Sequence, residues 1–170
     1  MNANLQASAP GARLALVSRA AITLGMVALG IAAGAKAWWA EDFHASLEAW
    51  SSVPEWARTP FTLLLPGLEW GLVAAFFLFG AASRASIARF AFVLIALFTA
   101  MLLVETAMDR PPPCNCFGRL LNIEASIDGL RWALTRNAIL LALLAPAWLP
   151  APERSRHTHS LEKSHAPALS

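Results

Sequence analysis

Four apolar runs, each close to 20 residues long, constrain this chain more than any other feature. A helix that crosses a bilayer needs about 20 mostly apolar residues, and such a helix satisfies its own backbone hydrogen bonds without water. The runs are roughly Ala20 to Trp39, Phe61 to Ala82, Ile87 to Glu105 and Leu130 to Leu149. The chain has 170 residues, room for one domain. Only 14% of them are charged and 57% are hydrophobic, whereas a soluble domain carries about 25% charged residues. With so little charge the chain lacks the polar surface that water requires, so lipid is its solvent. The expected fold class is all-α: an integral membrane four-helix bundle. The fourth run is the weakest, with Arg131 and Arg136 in its first half and Pro146 near its end.

The connections differ in kind. Arg84 and Arg89 are expected to frame a tight turn between the second and third helices. In the 41–60 connection, Phe43, Leu47 and Trp50 fall on one helical face, away from Glu41, Asp42, His44 and Glu48. That spacing predicts a short interfacial helix between helices one and two, ended by Val53-Pro54. Trp38, Trp39, Trp56 and Trp148 sit at the ends of apolar runs, where tryptophan anchors a span in the interface. The expected organisation is a tail over 1–19, a membrane domain over 20–149 and a polar, disordered tail over 150–170. His157, His159 and His165 belong to that solvated tail. Ala35-Lys36-Ala37 after an apolar stretch also has the outline of a signal-peptide cleavage site, but the lysine and the length of the stretch argue against one.

Orientation follows from Lys and Arg in the short flanks. The two sides are nearly balanced. If charges inside the helical segments are set aside, the remaining ones place both termini in the cytoplasm. The 106–129 loop is then outside the cytoplasm, in the manner of a multi-pass inner-membrane protein with a periplasmic or extracytoplasmic loop.

That loop holds the chain's two cysteines, Cys114 and Cys116, within Pro111-Pro112-Pro113-Cys114-Asn115-Cys116-Phe117-Gly118. A disulfide between residues two apart closes a very small ring with strained geometry. Strained, exposed disulfides exchange readily. Two other readings remain open. The pair is a structural staple, although so short a loop removes little unfolded-chain entropy, or it holds a soft ion such as Cu(I). Zinc would ask for four ligands and no second cysteine pair exists, so no metal site is assigned.

Ionisable residues inside a span are functional candidates by default. Lys36 ends the first run, Glu69 lies about 12 Å into the second, and Arg136 lies in the fourth. In four alternating helices these residues lie toward the face that carries the cysteine loop, whichever way the chain inserts. Lys36 or Arg136 can pair with Glu69. In the functional reading a cation lowers a cysteine pKa while Glu69 relays protons. In the structural reading the pair fixes helix packing. Glu105, at the end of its run, is expected to be solvated. Asn137 is expected to hydrogen-bond across helices. A transporter built on Glu69 and Lys36 is the weaker reading, because no paired broken helices appear. No nucleotide-binding, haem-attachment or serine-hydrolase motif is present, and no basic stripe points to nucleic acid.

Taken together, Ala35-Lys36, Leu65-Pro66-Gly67-Leu68-Glu69, Cys114-Asn115-Cys116-Phe117-Gly118 and Arg136-Asn137 resemble the MauE branch of the MauE/DoxX group of redox-associated membrane proteins. The resemblance covers roughly residues 20–149. It implies a four-helix membrane protein tied to methylamine utilisation and to maturation of a disulfide-rich dehydrogenase subunit. Cys114 and Cys116 would then be the catalytic pair, with Lys36, Glu69, Arg136, Asn137, Phe117 and Gly118 in support. The implied partners are membrane lipid and a thioredoxin-like protein or a disulfide-containing client. The implied enzyme class is a thiol–disulfide oxidoreductase, and a membrane quinone is the implied extension. A non-enzymatic assembly factor with structural cysteines is the alternative.

Overall fold

The computed structural model describes residues 10–108 and 127–149. Cys114, Cys116, Phe117 and Gly118, and the tail 150–170, lie outside the described residues. Every described element is helical: α1 (Pro10–Trp38), α2 (Ala40–Glu48), α3 (Glu55–Leu78), α4 (Ala81–Ala107) and α5 (Ile127–Leu144). A 3-10 turn over Ala145–Trp148 follows. Three helices, α1, α3 and α4, are long and apolar enough to cross a membrane by length and composition. At 18 residues α5 is shorter, and it contains Asp128, Arg131 and Arg136.

Observed helix limits differ from those read in the sequence, for local reasons. Helix α1 begins at Pro10 rather than near Ala20. Proline suits the first turn because its missing N–H would be unpaired there anyway. The turn between α3 and α4 is only Phe79-Gly80, so Arg84 and Arg89 lie inside α4 rather than framing a turn. At the other end of the chain α5 stops at Leu144 and tightens into the 3-10 turn. Pro146 explains the change, since it has no N–H and disfavours α geometry in the residue before it.

Helix α1 packs against α3 and α5, and α4 packs against the same two helices. Small residues let α1 approach its neighbours: a Cβ on Gly30 would sit 3.4 Å from Val73, and one on Gly25 only 3.0 Å from Leu144. The outer faces carry exposed Leu63, Leu64, Phe90, Val93, Leu97 and Ile139. Helices apolar inside and out belong in lipid. Trp38, Trp56 and Trp148 are exposed at element ends, as interface anchors should be.

The interior is layered. One apolar cluster joins Met26, Leu29, Val73, Phe76, Ala88, Ala91, Ile95, Leu140, Leu144 and Ala147. A second joins Trp50, Val53, Ala57, Leu102 and Ala133. Along α4 the two are separated by Phe98 and Thr99, and along α5 by Arg136 and Asn137. Helix α2 closes the end of the molecule near the second cluster. Its Phe43, Leu47 and the following Trp50 are buried against protein. The amphipathic spacing is therefore real, but the apolar face serves the helix packing rather than the lipid surface.

Candidate functional site

The level between the two apolar clusters is polar, and each helix supplies it from a predictable register. Lys36 comes from the last turn of α1. Glu69 comes from α3, fourteen residues in, or about 21 Å along the axis at 1.5 Å per residue. Helices α1 and α3 run antiparallel: Gly30 faces Val73, Gly34 faces Trp70, and so Lys36 meets Glu69. Lys36 Nζ donates to Glu69 Oε1 at 2.5 Å and to Oε2 at 2.6 Å. Lys36 is 6% exposed and Glu69 4%. The ammonium also lies 5.9 Å from the Phe43 ring centre and 5.8 Å from that of Phe98, within cation–π range.

Arg136 and Asn137 enter from α5. Arg136 donates through Nε and Nη2 to Asn137 Oδ1, at 3.1 and 2.7 Å. Asn137 Nδ2 then donates to Thr99 Oγ1 on α4 at 3.0 Å. The Thr99 hydroxyl in turn donates to the Ile95 carbonyl, at 2.7 Å. Lys36, Glu69, Arg136 and Asn137 line one small cavity of about 30 Å³, walled by Leu29, Ala32, Leu94, Ile95, Phe98 and Leu140. A site of that volume with several polar partners can hold a water or two.

The structure thus brings together four of the supporting residues read from the sequence. Lys36 pairs with Glu69, and Asn137 makes the interhelical bond expected of it. Phe43, Phe98 and Thr99 complete the layer and were not singled out. Thr99, a hydroxyl in an otherwise apolar run, was the available signal. The cysteine-bearing connection lies in the chain between α4 and α5, two of the helices that build the layer.

One expectation is corrected. Glu105 is not solvated but fully buried. Its carboxylate accepts from Ser51 Oγ at 2.9 Å and from the Ser52 backbone N–H at 2.6 Å. It ties the end of α4 to the turn between α2 and α3. The same end holds a second polar contact. Thr62 donates its hydroxyl proton to the Arg58 carbonyl, so it accepts from His44, whose Nδ1 lies 2.9 Å away.

Residues 13–150 match the MauE family, described as methylamine utilisation protein MauE. The chain belongs to the MauE family. Family membership and the three apolar helices together make it a membrane protein related to methylamine utilisation. No curated protein and no solved structure matches the chain. The match spans the described helices and the 109–126 connection alike, so Lys36, Glu69, Arg136 and both cysteines fall within the family region.

Proposed function

We propose that this MauE-family chain is a four-span membrane thiol–disulfide redox protein acting through Cys114 and Cys116 on the extracytoplasmic side of the inner membrane. Its client is a disulfide-containing protein, such as a subunit of a methylamine-oxidising dehydrogenase. The observation that carries the reading is the buried polar layer. Lys36, Glu69, Arg136 and Asn137 converge on one cavity in a family protein whose C-x-C connection spans α4 and α5.

The chemistry balances without a further cofactor. A thiolate of the pair attacks a disulfide sulfur of a thioredoxin-like partner, forming a mixed disulfide and releasing one partner thiolate. The second cysteine attacks the first, closing the Cys114–Cys116 disulfide and releasing the second partner thiol. Two protons and two electrons leave the pair, and the partner disulfide becomes a dithiol. The reverse sequence delivers the disulfide to the client. Cations in the layer favour thiolate over thiol.

A second reading is favoured by one observation. The Lys36–Glu69 pair is closed, and among the described residues no buried side-chain polar atom lacks a partner. Such a layer suits a rigid, non-enzymatic assembly factor with structural cysteines. The test is a Cys114→Ser and Cys116→Ser series expressed with the client. The redox reading expects each single variant to trap a mixed disulfide on non-reducing gels and the double variant to leave the client reduced. A double variant that supports full client maturation selects the assembly factor.

A further inference from the structure

At the end of the molecule away from α2, a cavity of about 280 Å³ opens between α1, α3 and α4. Its lining includes Arg19, Ile22 and Thr23 of α1, Phe76 of α3, and Ala81 and Arg84 of α4. Two arginines from different helices thus face one space. Arg84 lies over the Phe76 ring at 5.6 Å, which orients its guanidinium. The carboxylates of the described helices lie elsewhere. Glu41, Asp42, Glu48, Glu55 and Glu105 lie at the opposite end, Asp128 is in the first turn of α5 at that same end, and Glu69 is held by Lys36. The other arginine of α4, Arg89, is already committed to the Ala147 carbonyl at 2.8 Å. Helix α4 also begins here, with Gly80 at its N-cap and no side-chain cap, so its first N–H groups add positive potential.

We infer that this cavity binds a phosphate group, and that its source is the headgroup of an anionic phospholipid in the leaflet on the side of the chain termini. Two guanidinium groups are the chemistry of choice for phosphate. Ile22, Phe76 and Ala81 give the lining an apolar part beside Thr23, as the acyl portion requires. Exposed Leu16, Val17, Leu78 and Phe79 nearby place the cavity at lipid depth. A basic pocket between helices is a recognised way to hold such a headgroup. The inference is independent of the cysteine chemistry.

The test uses the full chain in nanodiscs of mixed phosphatidylglycerol and phosphatidylcholine, with retained lipid counted by native mass spectrometry. Wild type is expected to retain phosphatidylglycerol preferentially. R19Q or R84Q is expected to weaken that retention about fivefold each, and both together about thirtyfold. R19K/R84K, which restores the charge, keeps the preference and shows that the fold tolerates change there. R58Q/R131Q removes equal charge at the opposite end of the molecule, where α3 and α5 begin, and also keeps it. Unchanged retention in R19Q/R84Q, or an equal loss in R58Q/R131Q, overturns the site. Inorganic phosphate added to the protein in phosphatidylcholine discs separates the sources. A thermal shift that disappears in R19Q/R84Q, with no preference for phosphatidylglycerol, overturns the lipid assignment in favour of free phosphate.

Discussion

Replacing Glu69 by leucine should destabilise the protein far more than replacing Glu69 and Lys36 together. Glu69→Leu keeps a similar volume and leaves the Lys36 ammonium, 6% exposed, without its carboxylate. The faces of Phe43 and Phe98 stay beside it, at 5.9 and 5.8 Å. Those ring contacts, worth about 0.5–2 kcal/mol each, are already present in the wild type and so do not replace the carboxylate. Breaking a buried pair by removing one partner costs about 3–5 kcal/mol. Exchanging both partners for apolar residues of similar volume is often neutral. Lys36→Met/Glu69→Leu should therefore recover at least about 2 kcal/mol of the single-variant loss, a coupling a double-mutant cycle reads directly. The assay is reversible unfolding in mixed micelles followed by tryptophan fluorescence, with Trp70 adjacent to Glu69 as a natural reporter. A single variant as stable as wild type, or a double variant whose loss equals the sum of the singles, would refute the account of the polar layer.

Other consequences are equally direct. Glu105→Ala removes the acceptor of two hydrogen bonds that hold the α2–α3 turn. It should cost about 2–4 kcal/mol and make residues 49–54 the first site cut in limited proteolysis. Asn137→Ala, which breaks the link from Arg136 to Thr99, should cost about 0.6–2 kcal/mol in the same unfolding assay. Gly25→Val should be poorly tolerated, because even a Cβ there meets Leu144 at 3.0 Å, and overpacking costs about 1–3 kcal/mol. Gly67→Ala, with open space around it, should leave stability within about 1 kcal/mol of wild type in parallel measurements.

Much of this architecture could be read from the residues, because lipid imposes one simple requirement on length and polarity. The apolar runs located α1, α3 and α4, with their C-terminal ends within four residues but their starts six to ten residues late. Spacing in the 41–60 connection gave α2, because Phe43, Leu47 and Trp50 repeat at helical intervals. Intramembrane charge pointed to Lys36, Glu69 and Arg136, since a charge in that setting needs a partner. Burial of Glu105 was not legible. A carboxylate at the end of an apolar run looks solvated, and what buries it is a serine turn more than fifty residues earlier in the chain. The destination of α2 was equally hidden. An amphipathic period says that one face avoids water but not whether lipid or protein receives it. The roles of Phe43 and Phe98 beside Lys36 depend on how helices dock, which no local pattern encodes.

The central claim is that Cys114 and Cys116 cycle between dithiol and disulfide outside the cytoplasm. The most direct measurement is labelling of both cysteines in intact cells with a membrane-impermeant thiol reagent, with and without prior mild reduction. The account predicts labelling only after reduction, and loss of that reduction-dependent signal when the oxidising partner is removed. Cysteines that label identically with and without reduction, in cells actively maturing the client, would contradict it.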